Sequence, residues 1–233
     1  MAIKYLAALL PPILLLLFVW HKDATKEPFR QLFKAVIFGA LICIPAVFWE
    51  SFMGTLLFNG EEPTTIIGTT LNAFLCAAVP EETLKLIALW LVLRRNPYFD
   101  EHFDGIVYAV CVGLGFASME NIMYVFGDED WFSTAIVRAL LAVPGHYAFA
   151  ILMGYYYSIY HFVDHSPKVA VCVLLVPVLA HGTYDALAMS GIVSPVIGGL
   201  SFFVLIYFCV KMHKVAKAKV LALVEKDNDR IKV

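Results

Sequence analysis

The chain has 233 residues, 61% of them apolar and 15% charged, with a mean hydropathy of +0.79. Soluble domains are roughly 45–50% apolar and about 25% charged, so this composition excludes a soluble enzyme, a secreted disulfide scaffold and a disordered chain, and indicates a multi-pass membrane protein. Seventeen basic residues against 19 acidic ones leave a formal charge of −2, with no nucleic-acid footprint.

A spanning helix needs about 20 mostly apolar residues. Charged or turn-rich breaks divide the chain into seven expected spans, at 3–20, 30–58, 66–93, 103–126, 131–162, 168–189 and 192–215. The first resembles a signal-peptide core, with Lys4 ahead of a Leu-rich run. His21-Lys22-Asp23 then follows without a small-residue cleavage pattern, so a retained helix is expected. The connectors alternate in charge. Basic residues fall at 21–34, at Arg94 and Arg95, at Lys168 and from Lys211 to Lys232, whereas 59–65, 127–131 and 189–194 carry none. The positive-inside rule then puts the N-terminus outside and the C-terminus in the cytoplasm. The expected fold is an all-α polytopic bundle of about seven transmembrane helices. It forms one membrane domain over 1–215, followed by a basic cytoplasmic tail over 216–233. The five cysteines lie in apolar stretches without a C-x-x-C pair and read as small hydrophobes.

An ionisable group at mid-membrane costs about 2.5–3.5 kcal/mol on insertion scales, yet the spans hold many. Span two has Glu50. Span three reads Val79-Pro80-Glu81-Glu82-Thr83-Leu84-Lys85, with adjacent carboxylates and an amine one turn later. Such a triad suits a general base with an orienting partner, and equally an ion pair that holds a bundle. Span four ends in Phe116-Ala117-Ser118-Met119-Glu120-Asn121, which could simply cap or hydrate a helix end. Span five carries Arg138 and then Pro144-Gly145-His146, with Ala150 and Gly154 at four-residue steps as a flat packing stripe. Span six has His181 and Asp185 on one face, a spacing that suits two metal ligands or a base held by a carboxylate. Pro80, Pro144 and Pro177 stand shortly before Glu81, His146 and His181, each freeing a backbone carbonyl. The cluster sits toward the outer half of the membrane. Glu50 and Arg138 are isolated in sequence and read as structural partners.

E-E-x-x-K at Glu81–Lys85, F-x-x-x-E-N at Phe116–Asn121, His146 with its stripe, and H-x-x-x-D at His181–Asp185 together resemble the PrsW family of intramembrane proteases. Asp104-Gly105 opening span four also fits. The resemblance covers roughly residues 30–190 as a catalytic core. Ala150 departs from it, standing where the family commonly has glycine.

The resemblance implies cleavage of single-pass membrane proteins near the extracytoplasmic face, as in site-1 cleavage of a membrane-anchored anti-sigma factor, in a bacterial or archaeal plasma membrane. Glu81 or Glu82 is then the expected base, with His146, His181 and Asp185 catalytic beside it and Lys85, Phe116, Glu120 and Asn121 in support. Glu82, Glu120, His146, His181 and Asp185 are candidate zinc ligands, imidazole and carboxylate being suitable donors. A metal-free arrangement of the same residues is the alternative, since there is no H-E-x-x-H motif. Competing functions are a non-catalytic membrane scaffold of the same fold and a proton- or ion-coupled transporter; the one-sided cluster and the lack of a visible repeat argue against the transporter.

Overall fold

The computed structural model describes residues 1–23 and 25–231, all of whose regular structure is helical. In chain order the elements are α1 (Ala2–Lys22), α2 (Phe29–Phe58), α3 (Ile66–Leu71), α4 (Val79–Leu93), α5 (Asp104–Gly127), α6 (Trp131–Val137), α7 (Val143–Phe162), α8 (Pro167–Met189) and α9 (Pro195–Ile231). Six helical runs among the described residues are long and apolar enough to cross a membrane. The remaining expected span, 66–93, forms as one continuous helical run but carries Glu81, Glu82 and Lys85 in its interior.

Two helical runs are interrupted by wide π-helical segments, Asn72–Ala78 between α3 and α4 and Arg138–Ala142 between α6 and α7. Each ends two positions before a proline, Pro80 or Pro144, in the first turn of the following helix. Proline has no N–H for the ladder, and π segments are common at functional sites. Val79 N–H reaches back five residues to the Phe74 carbonyl, and the freed Leu75 carbonyl accepts the Trp49 indole N–H at 3.2 Å. A backbone group that would be unpaired in lipid is thereby satisfied by a side chain of α2.

The centre of the bundle is α5, which is buried around nearly its whole circumference over residues 104–117. A helix apolar on every face belongs inside, and small residues let its neighbours come close. A Cβ at Gly115 would lie 2.2 Å from the Val36 carbonyl oxygen of α2, and one at Gly154 of α7 would lie 2.4 Å from the Gly105 carbonyl oxygen. The stripe on α7 therefore packs on α5. Ala150 is accommodated because the residue facing it is Gly113, where an added Cβ would come within 2.8 Å of the Ala150 methyl.

Helix α1 packs along α5 and α6. Pro12 inside it leaves the Ala8 carbonyl without its helical partner, and the Asn121 side-chain amide donates to that oxygen at 3.0 Å. Lys4 adds a bond to the Val125 carbonyl at 3.2 Å. At the other end of the molecule, α9 runs through the expected tail to Ile231. Its Asp227 accepts the backbone N–H groups of His102 and Phe103 at 2.9 and 2.8 Å, just ahead of α5. Lys232 of the expected basic tail lies outside the described residues. Four cysteines are buried, Cys172 is partly so, and all are free thiols.

Candidate active site

The polar residues of four helices converge. From α4, the Lys85 ammonium lies 3.1 Å from Glu81 Oε2, 2.8 Å from Glu82 Oε1 and 3.3 Å from His146 Nδ1 of α7. It also sits over the Phe116 ring of α5, 4.2 Å from the centroid. The lysine thus occupies the middle of the cluster, where its charge offsets two buried carboxylates.

Both histidines are held by carboxylates. Glu82 Oε1 lies 2.9 Å from His181 Nδ1, and Glu120 Oε2 lies 2.8 Å from His146 Nε2. The remaining nitrogens turn inward: His181 Nε2 stands 3.1 Å from Asp185 Oδ2 and 3.9 Å from Glu81 Oε2, while His146 Nδ1 faces Lys85. At His146 the bond to Glu120 leaves Nδ1 to accept from the Lys85 ammonium, whereas at His181 both nitrogens have a carboxylate to donate to, Glu82 at Nδ1 and Asp185 at Nε2. Phe149 stacks on the His181 ring, with centroids 4.7 Å apart and planes 20° apart, and holds it in this orientation.

Behind His146 the chain of contacts runs outward. Arg138 donates to Glu120 Oε2 and to Asn121 Oδ1, both at 2.6 Å, and Asn121 reaches α1. Arg138 is therefore tied directly to Glu120 and Asn121, a pairing that sequence reading alone does not reach. Glu50 makes no part of this network, but it lines the space around it.

A cavity of about 240 Å³ is lined by Glu81, Glu120, Arg138, His146, His181 and Asp185, with Glu50 and Tyr124 at one side. Val47, Glu50, Met123 and Tyr124 also line an adjoining groove of about 690 Å³ that ends at Gly127, Asp128 and Glu129. Glu81 faces the cavity and is slightly exposed; Glu82 is fully buried and reaches it only through its partners. Among the expected site residues, Glu81, Glu82, Lys85, Glu120, His146, His181 and Asp185 come together, with Phe116 beneath Lys85 and Asn121 one step behind.

Glu81, Glu82, His146 and His181 each offer a ligand atom in a group whose members lie within 4.8 Å of one another. Two carboxylates and two imidazoles form a donor set that zinc accepts. Glu82 Oε2 is buried with no hydrogen-bond partner among the described residues, as expected of an atom that has a cation still to meet. The residues present therefore fit a metal ion. Glu120 and Asp185 stand one step outside this group, engaged by Arg138 and His146 and by His181 respectively.

Comparison with known proteins agrees with the geometry. Residues 27–212 match the family described as PrsW family intramembrane metalloprotease. Similar curated proteins, each named Protease PrsW, include that of Bacillus subtilis (strain 168), 34% identical over 182 residues that cover 77% of this chain and 79% of the relative. That of Oceanobacillus iheyensis is 33% identical, covering 77% and 80%, and that of Clostridioides difficile (strain 630) is 31% identical, covering 79% of each. No solved structure matches.

Proposed function

The chain belongs to the PrsW family of intramembrane proteases, and from that premise we propose that it hydrolyses a peptide bond of single-pass membrane proteins near the extracytoplasmic face. Its chemistry rests on Glu81, Glu82, His146 and His181. The observation that carries this reading is the pair of carboxylate-held histidines that line one cavity with Glu81.

Glu82, His146 and His181 would hold the metal, with zinc the ion that suits the donors. Once bound, zinc polarises a carbonyl and lowers the pKa of coordinated water. Glu81, at the cavity surface, serves as general base: it takes a proton from the attacking water and delivers it to the leaving amide nitrogen. Lys85 keeps the adjacent carboxylates from repelling each other and holds Glu81 in place. Glu120, fixed by Arg138, orients His146, and Asp185 shares the inward side of His181. The groove from the cavity to Gly127–Glu129 supplies a route for an unwound substrate segment. Its connector falls on the outer side in the orientation indicated by loop charge.

The same reading takes residues 1–215 as one membrane domain, with the catalytic core at about 30–190 and a basic cytoplasmic segment over 216–233. The membrane is a bacterial or archaeal plasma membrane, and the substrate class includes membrane-anchored anti-sigma factors. The test is to co-reconstitute the purified protein with single-pass reporters and locate cuts by mass spectrometry, with elemental analysis on the same sample. Cuts at the outer boundary with about one zinc per chain are expected. Cuts confined to the cytoplasmic side, or full activity with below about a tenth of an equivalent of metal, would overturn the orientation or the zinc assignment respectively.

A further inference from the structure

A second group of acids lies at the opposite end of α5. Asp104 begins that helix and Glu120 follows 16 positions later, which at about 1.5 Å per residue separates the two clusters by about 24 Å. Asp23 ends α1, Glu27 precedes α2, and Glu101 and Asp104 flank the start of α5. One atom from each of Asp23, Glu101 and Asp104 lies within 4.8 Å of the others.

The internal bonds do not use this group up. Asp104 Oδ2 accepts the backbone N–H of Asp100 and of Glu101 at 3.0 and 2.7 Å, and Asp23 Oδ2 accepts that of Glu27 at 3.4 Å. The Thr25 hydroxyl donates to Glu101 at 2.8 Å, and the Tyr108 hydroxyl donates to Glu27. Asp23 Oδ1 and Asp104 Oδ1 remain, both buried and without a partner among the described residues, on side chains that are 2% and 0% exposed. Lys26, the nearby cation, directs its ammonium to the carbonyls of Trp20 and Asp23. Four carboxylates thus face one another with two buried oxygens unanswered, an arrangement that is costly unless something positive is shared.

We propose that Asp23, Glu101 and Asp104, with Glu27 beside them, form a second cation site, for a hard divalent ion of the Mg²⁺ or Ca²⁺ class. The all-oxygen donor set, without histidine or cysteine, selects that class over zinc. Asp23 and Asp104 carry the two unanswered oxygens, while Glu101, only partly buried, provides access from water. An ion there would tie the α1–α2 turn to the start of α5, the helix that also carries Glu120.

The experiment uses full-length protein in nanodiscs, stripped of metal and titrated separately with MgCl₂ and CaCl₂. Heat of binding and thermal midpoint are followed. Saturable binding, and a midpoint that climbs with the logarithm of ion concentration, are expected in the wild type. Binding should weaken about tenfold or more in Asp23→Asn and Asp104→Asn, and persist unchanged in His181→Ala. Should Asp104→Asn fail to fold, Glu101→Gln at the rim gives the same readout. No stabilisation by either ion, equal binding in the Asp23 and Asp104 variants, or loss of binding in His181→Ala would overturn the proposal. The last outcome would assign the ion to the protease site. Binding and melting are both read without cleavage, so a failure of the protease reading would leave this result untouched.

Discussion

Glu82 Oε1 lies 2.9 Å from His181 Nδ1, joining residues 99 positions apart. This contact fixes which face of the imidazole is offered to the cavity. With Nδ1 held by Glu82, Nε2 is turned to Asp185 at 3.1 Å and to Glu81 at 3.9 Å. The same arrangement recurs at His146 with Glu120. Two glutamates that are neighbours in sequence thereby stand differently: Glu82 is fully buried against His181, and Glu81 lies at the cavity surface.

Lys85 is the only group in α4 that offsets Glu81 and Glu82. Lys85→Met should destabilise the protein by about 3–5 kcal/mol, since removing one partner of a buried pair leaves the other uncompensated. Adding Glu82→Gln should recover much of that loss without restoring cleavage. Thermal unfolding of the solubilised single and double variants measures both.

Asn121 answers a carbonyl that Pro12 leaves open. Asn121→Ala should therefore lower stability by about 1–3 kcal/mol. In the Pro12→Ala background, where a backbone N–H is again available to Ala8, the same substitution should have a smaller effect. A double-mutant cycle on unfolding midpoints reads the difference, and strict additivity would contradict the pairing.

Gly182, next to His181, touches Phe74 of the first π segment. A Cβ at this position would meet the phenyl ring at 2.4 Å. Gly182→Ala should lower stability by about 1–3 kcal/mol through overpacking and reduce turnover, because Phe74 lies on the segment leading into Glu81. Trimming Phe74 to Leu in the same protein should restore part of both.

The Glu27 carboxyl is raised from 4.5 to about 7, chiefly by burial, with the Asp23 charge adding to it and the Tyr108 hydroxyl opposing it. The facing groups are Asp23, Asp100 and Asp104, with Tyr108 donating to it and Lys26 nearby. Between those two values the folded state holds more protons than the unfolded one, so this contribution to stability falls as pH rises from about 4.5 to about 7. In divalent-free buffer the thermal midpoint should decline across that window, and Glu27→Gln should flatten the decline.

Hydropathy and connector charge mark nearly all the helices, because burial in lipid acts on each segment by itself. The membrane cost of charge likewise picks out Glu81, Glu82, Lys85, Glu120, His146, His181 and Asp185 one at a time. Their partnerships are not legible in that way. Arg138 stands alone in its span, and its bonds to Glu120 and Asn121 exist only once α6 and the following π turn fold against α5. The prolines signal loosened backbone, but that Trp49 would fill the gap at Leu75 depends on how α2 docks. Phe149 reads as ordinary core until His181 of α8 is laid on it. The acids at Asp23, Glu27 and Glu101 lie in connectors, where charge is commonplace until the loops converge.

The most direct measurement reconstitutes wild type, Glu81→Gln and His181→Ala with a single-pass reporter, scoring cleavage together with retained zinc and thermal midpoint. Glu81→Gln is expected to fold, keep its zinc and cleave about 10²–10⁴-fold more slowly, while folded His181→Ala loses both zinc and cleavage. Wild-type rates in a folded Glu81→Gln or His181→Ala protein would contradict the assignment of this cluster as the catalytic site.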